Sequence, residues 1–214
     1  ESVNFRRRGR SGLFRPALAA ACLVLSLCAG GSYLYFTPTA YISVDVNPSL
    51  ELGVNRFDRV VSVESYNEDG QMLAETLDVK YLNYRDALEQ ILDSESMTAY
   101  LQDGLLSLTV AGESERQCGE IYQAMEDCAA GRRNIRCHAG SSDTVREAHH
   151  SGMSVGRYQA YLILRELNPD ITEEEIRAMT MREIEQLIRS SAQEQGVEMA
   201  PAAEPAGGYA HGGY

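Results

Sequence analysis

The sequence predicts an α+β fold: a single N-terminal transmembrane helix, then a mixed sheet with packed helices and a C-terminal helical extension. Three observations predict it. An uncharged apolar run, 16–36, follows a basic segment. Between 40 and 67 apolar residues alternate at the period of a strand, and from 141 to 193 they recur at the period of a helix.

Residues 1–15 carry Arg6, Arg7, Arg8, Arg10 and Arg15 against one acidic residue. The run that follows is "PALAAACLVLSLCAGGSYLYF". At about 1.5 Å per helical residue, it is long enough to span the roughly 30 Å hydrocarbon layer. Tyr33, Tyr35 and Phe36 stand at its outer end, where aromatic rings favour the interface. A cleaved signal peptide has the same basic start and apolar middle, but this run is long and no convincing small-x-small cleavage pattern follows it. A retained span puts the arginines in the cytoplasm and residues 37–214 outside the cell membrane.

That outer part holds 14 Lys/Arg against 30 Asp/Glu, in a chain of net charge −12. Such a surface repels phosphates, so no nucleic acid is expected as a partner, and anionic lipid is a poor ligand for it. Cys22 and Cys28 fall in the span, leaving Cys118, Cys128 and Cys137 outside. An odd number fits one disulfide plus a free thiol, or no disulfide. Cys137-His138 and His149-His150 are adjacent pairs without zinc-site spacing, and neither metal nor cofactor is expected.

Along the outer part, Ile42, Val44 and Val46 share one face of a strand over 40–46, with Tyr41, Ser43 and Asp45 on the other. Leu50, Leu52 and Val54 continue over 50–54, and "RVVSVESYN", 59–67, follows. "EDG" at 68–70 reads as a hairpin-type turn, with a further strand over 72–79. Asn83 caps a helix with Ala87, Leu88, Ile91 and Leu92 as its apolar stripe. "LLSLTVA", 105–111, is a strand, 114–129 a helix ended by Gly131, and "NIRCHA", 134–139, a short edge strand. Residues 37–140 thus read as an extracytoplasmic α+β domain.

Residues 141–193 read as a helical region that packs on this domain or recruits a partner. Ser142 or Asp143 caps a helix through His150, a second runs from Ser154 to Leu167, and Thr172 with Glu175 has capping-box spacing. Met181 to Ile188 repeats the pattern. Residues 194–214, rich in Ala, Gly and Pro, read as a disordered tail, whose tyrosines a carbohydrate-gripping role would use.

No G-x-S-x-G elbow, P-loop, dinucleotide fingerprint or H-E-x-x-H occurs. His149-His150 beside Glu147 reads either as an acid–base pair or as a solvated helix end. The carboxylates offer no glycosidase pair that sequence can resolve. Asn47-Pro48 sits between two strand-like runs, where proline should interrupt a sheet. One reading is a bend or bulge, as Asn168-Pro169 suggests elsewhere in the chain. The other is chemical. The Asn47 side-chain nitrogen attacks its own main-chain carbonyl carbon, closes a succinimide and expels Pro48 as a new N-terminus. A fold hastens this by orienting the amide, straining the bond, supplying oxyanion donors and moving protons. Asp45, Ser49 and Glu51 are near in sequence, and strand alternation puts Asp45 on the same face as Asn47.

"AYISVDVNPSLELGVNRFDRVVSVESYNEDG", 40–70, and "GMSVGRYQAYLILRELNPDITEEEIRAMTMREIEQLI", 152–188, resemble the RsgI family of transmembrane anti-sigma factors. The resemblance begins in the basic segment and runs to about 192. It implies a cytoplasmic domain that sequesters a SigI-type sigma factor, one membrane helix, and an outer domain that cleaves itself within its VNPS stretch. Carried over, Asn47 is the cyclising residue and Pro48 the leaving residue, acting once and without turnover on other substrates. The two fragments stay associated as partners, and their separation opens the membrane-side piece to an intramembrane protease that frees the sigma factor. The segment before the span is too short for the sigma-binding domain, so the chain as given is expected not to bind sigma factor. In the chain as given, a short tail rather than a sizeable sensory module is expected after 193. The competing reading is a noncatalytic, membrane-tethered sensor or interaction domain in which Asn47-Pro48 is a structural turn.

Overall fold

The computed structural model describes residues 14–132 and 134–196. The chain divides into two compact units between Thr37 and Pro38. In the first, helix α1 (Phe14–Phe36) contains the stretch Leu18–Phe36, with a mean hydropathy of 1.7, long and apolar enough to cross a membrane. Leu18, Leu23, Leu25 and Leu27 are all exposed. A helix apolar all round and unburied by protein is suited to lipid as its solvent. It is the one candidate span among the described residues, consistent with a single-pass membrane protein.

The second unit is built on a mixed five-stranded sheet: β1 (Pro38–Asp45), β2 (Ser49–Asn55), β3 (Val60–Ser65), β4 (Leu106–Gly112) and β5 (Ile135–Ala139), in the order β3-β2-β1-β4-β5. β1 is therefore the central strand. It is antiparallel to β2, from Pro38 opposite Asn55 to Asp45 opposite Ser49, and to β4, from Ala40 opposite Gly112 to Asp45 opposite Ser107. β5 is parallel to β4, and helix α5 (Glu115–Ala129) makes the crossover that parallel neighbours require.

Alternation sends Ile42, Val44, Leu50, Leu52, Leu106, Leu108 and Val110 to one face, where all are buried. Helices α2 (Glu68–Thr76), α3 (Tyr84–Leu92), α4 (Glu95–Asp103) and α5 close that face through Leu73, Leu88, Ile91, Met97, Ile121 and Met125. The opposite face carries Ser43, Asp45, Ser49, Glu51, Ser107 and Thr109, and these too are buried. Helices α6 (Ser142–His150) and α7 (Val155–Leu167) cover it. Beyond them α8 (Glu173–Ala178) and α9 (Met181–Gln195) pack through a second apolar cluster that includes Tyr158, Leu164, Ile176 and Ile184. The region 141–193 thus packs on the sheet.

Two expectations are corrected. The hairpin turn at 68–70 and the strand over 72–79 are replaced by helix α2 through Thr76, followed by an irregular connection over 77–79. The Asn67 carboxamide accepts the Gly70 N–H at 2.8 Å and caps an acidic first turn of Glu68 and Asp69. Helix α4, capped by Ser94 and anchored by Met97, has no counterpart among the elements that the sequence predicts. Elsewhere the caps fall where short polar side chains allow. Asn83 caps α3, Ser154 caps α7, and Thr172 closes its capping box with Glu175. Ser141, one residue before the expected caps, begins α6, and Thr180 forms a second capping box with Glu183. Helix α9 then continues to Gln195, beyond the expected end of the pattern, and stops at left-handed Gly196. The tail tyrosines lie outside the described residues.

Candidate functional site

Asn47 and Pro48 lie in the connection 46–48 between β1 and β2, the hairpin formed by the central strand and its neighbour. Proline is tolerated here because the ladder ends at the Asp45–Ser49 pair, so no sheet partner needs its missing N–H. The Val46 N–H closes the turn on the Pro48 carbonyl at 2.9 Å, and the Met181 N–H reaches the Val46 carbonyl at 3.3 Å. Val46 and Pro48 are buried while Asn47 is exposed. Among the described non-glycine residues, positive φ occurs at Asp58, Tyr81 and Asn134, so the turn has no left-handed residue to strain it. One side opens to a cleft of about 200 Å³ lined by Val46, Asn47, Tyr100, Gly104, Leu105, Thr180 and Arg182.

The N-terminus of α2 approaches the hairpin from another direction. Asn67 Oδ1 accepts the Ser49 N–H at 3.0 Å as well as the Gly70 N–H, and the Tyr66 N–H donates to the Ser49 carbonyl at 2.9 Å. Asn67 Nδ2 then faces Asn47 Oδ1 at 3.5 Å, and Asn47 Nδ2 faces Asp69 Oδ2 at 3.3 Å. The approach demands glycine at 70, since a Cβ there would collide with the Ser49 carbonyl oxygen.

Asp45, Ser49 and Glu51 belong to a different layer. β1 ends at Asp45, so strand alternation does not carry on to Asn47 and the two residues do not share a face. Asp45 is wholly buried, and its Oδ1 accepts the hydroxyls of Ser49 and, at 2.7 Å, Ser154, the cap of α7. Burial pushes the Asp45 carboxyl up to about 6, against the opposing pull of Arg157 and the two hydroxyls. Arg157 is buried and donates to the carbonyls of Ile176 at 3.0 Å and Met179 at 2.5 Å. Glu51 accepts the Val155 N–H at 2.9 Å and the Ser43 hydroxyl at 3.2 Å on one oxygen, and meets His149 Nε2 at 2.6 Å on the other. That hydrogen bond raises the His149 pKa above its ordinary value. His149 thus serves the layer between sheet and helices, and its partner is Glu51 rather than Glu147.

The five cysteines are free thiols. Burial pushes Cys118 up to about 11 and Cys137 up to about 12, which leaves both unreactive as thiolates. Among the described residues no three His, Cys, Asp or Glu side chains are grouped to hold a metal ion.

The model of the anti-sigma factor RsgI-like central domain matches residues 39–163, which hold the sheet from Thr39 onward, the Asn47-Pro48 turn and most of α7. The chain belongs to the RsgI family of anti-sigma factors. Similarity to individual RsgI proteins extends further along the chain. Anti-sigma-I factor RsgI7 of Acetivibrio thermocellus is 31% identical over 199 residues, covering 87% of this chain and 36% of that protein. RsgI9 of the same organism is 26% identical over 206 residues, covering 87% of this chain and 28% of its own. RsgI4 is 25% identical over 197 residues, covering 85% and 38%. This RsgI-type chain therefore spans about a third of the length of the curated relatives it matches. It is a membrane-associated, anti-sigma-factor-like domain of the RsgI family.

Asn47 and Pro48 are thus placed together at a hairpin apex, as their adjacency required, and Asp45, Ser49 and Glu51 are gathered elsewhere. Asn67 and Asp69 are the residues of this site that sequence reasoning misses. The signal is present as a cap, Asn67, followed by two acids and a glycine, but the same residues read equally well as a turn.

Proposed function

We propose that this domain cleaves its own chain once, between Asn47 and Pro48, by cyclisation of Asn47, and that the two pieces remain assembled until they are pulled apart. The observation that carries this reading is the position of the bond. It joins the central strand to its neighbour, so a cut leaves residues 38–45 held between β2 and β4 by two ladders and by Ala40, Ile42 and Val44 in the core. A permanent link becomes one that force or unfolding can undo, while the sheet keeps it closed at rest.

In this reading the basic segment is cytoplasmic, the span 16–36 crosses the membrane, and the outer domain of 37–140 carries the helical region 141–193 on its polar face. Separation of the fragments would leave the membrane-side piece, ending at Asn47, open to an intramembrane protease. A SigI-type sigma factor bound on the cytoplasmic side of the whole protein would then be freed. The RsgI7, RsgI9 and RsgI4 relatives, named as anti-sigma-I factors, support that assignment of partner.

The test is the mass of the full chain, purified in detergent and denatured, beside an Asn47→Ala variant. Two masses that sum to the chain plus one water, with Pro48 as a new N-terminus and an intact variant, are expected. An intact wild-type chain from folded protein would sink the reading and leave Asn47-Pro48 as a turn in a membrane-tethered interaction domain.

A further inference from the structure

Resting on that reading, we propose that Asp69 is the general base of the cyclisation and that Asn67 is the residue that turns the Asn47 carboxamide toward it. The chemistry sets the requirement. An amide nitrogen is a poor nucleophile because its lone pair is delocalised into the carbonyl, so cyclisation needs a base at Nδ2 and a fixed orientation of the amide. A rotated Asn47 would offer oxygen where nitrogen is needed.

The hydrogen bonds fix that orientation. Asn67 Oδ1 lies between two N–H donors, Gly70 at 2.8 Å and Ser49 at 3.0 Å. A flipped Asn67 would set its NH2 against both. Its Nδ2 must therefore face Asn47, at 3.5 Å, and requires an acceptor there, which is Oδ1. Asn47 Nδ2 is left facing the Asp69 carboxylate at 3.3 Å. A carboxylate likewise admits only a donor. Two main-chain N–H groups thus dictate, through one side chain, which end of Asn47 meets the base. One belongs to the first turn of α2, the other to the residue after Pro48. Gly70 lets them approach, since any Cβ there would strike both the Ser49 carbonyl and, at 2.8 Å, Asn67 Oδ1.

The step balances within the chain. The Asp69 carboxylate takes a proton from Asn47 Nδ2, while Asn67 Nδ2 donates to Oδ1, where negative charge collects as the amide loses its proton. Nδ2 forms a bond to the Asn47 main-chain carbon. The bond from that carbon to the Pro48 nitrogen then breaks, and the proton held by Asp69 is returned, directly or through water, to the departing amine. The products are a C-terminal succinimide at Asn47 and a free prolyl N-terminus, and water later opens the imide at either carbonyl.

The experiment follows cleavage of the full chain by denaturing mass spectrometry, with time counted from refolding out of denaturant. Asp69→Asn should slow cleavage by about 100-fold or more, the lower end of what a positioned base supplies. Asp69→Glu, which keeps a carboxylate, should stay within about tenfold of wild type, and Asn67→Ala should fall between the two. Thermal unfolding of each variant reports whether it is folded, and the Asp69→Glu comparison separates a base from a merely structural acid. A cleaving wild type whose folded Asp69→Asn variant cleaves equally fast would overturn the assignment alone. A wild type that never cleaves would overturn both this assignment and the self-cleavage it rests on.

Discussion

One sheet presents two faces that are both buried, and they are closed by different chemistry. On the first, Ile42, Leu52, Leu108 and their neighbours meet Leu88, Ile91, Ile121 and Met125. On the second, Ser43, Asp45, Ser49 and Glu51 meet Ser154, Arg157, His149 and the first amides of α7. Apolar burial stabilises at roughly 25 cal/mol per Å² and is indifferent to direction. Hydrogen bonds add only about 1 kcal/mol each in net terms, yet leaving one unmade in the interior is expensive. The first face therefore supplies stability, and the second fixes where α7 sits. Gly156 shows how closely it must sit, because a Cβ there would lie 2.6 Å from Asp45 Oδ2.

This contrast can be broken by experiment, best done in the Asn47→Ala background so that the chain is one covalent species. The largest effect is expected on the apolar face. Leu52 is fully buried. Leu52→Ala leaves a cavity there and should cost about 3 kcal/mol in urea unfolding. On the polar face Ser154 caps α7 and donates to Asp45. Ser154→Ala removes both interactions and should cost about 2 kcal/mol. Equal losses from the two would show that the polar layer carries as much stability as the core.

The third difference is that the polar face holds Asp45 and His149, a carboxyl and an imidazole whose raised values bear on stability between acid and neutral pH, whereas Cys137 on the apolar side is pushed up to about 12. Asp45 binds its proton more tightly folded than unfolded, so the stability it contributes is present in acid and is lost as pH rises from the ordinary carboxylate range through about 6. His149, whose pKa is raised by Glu51, contributes stability below the ordinary imidazole value that is lost as pH rises through its own raised value. Both run in one direction, while His138, whose pKa burial lowers, opposes them by gaining stability as pH rises through the imidazole range. The melting temperature of wild type measured against an Asp45→Asn/His149→Gln double variant should therefore fall from mildly acidic to mildly alkaline pH. Asp45→Asn should flatten the lower limb of that profile and His149→Gln the upper. A profile unchanged by both substitutions would remove the polar layer's claim to be the titrating part of the fold.

The sequence by itself determined the five strands of the sheet from their two-residue period, several helices from their caps, and the candidate membrane span from its length and lack of charge, and it singled out Asn47-Pro48 as the candidate site. Those features are local, written within a few residues of where they act. Helix α2 escapes such a reading because an acidic, glycine-bearing first turn and a hairpin turn use the same residues. Only packing of Leu73 on the core distinguishes them. What tertiary structure alone decided was non-local. Alternation reads Ser43, Asp45 and Glu51 simply as a polar face, whereas their partners Ser154, Val155 and His149 arrive from far along the chain and bury them. The same holds at the turn. Asp69 lies well beyond Asn47 in sequence, and only the docking of α2 against the hairpin brings a carboxylate to its amide nitrogen. Period and propensity act over a few residues, while the meeting of two side chains distant in sequence is fixed by how the elements between them pack.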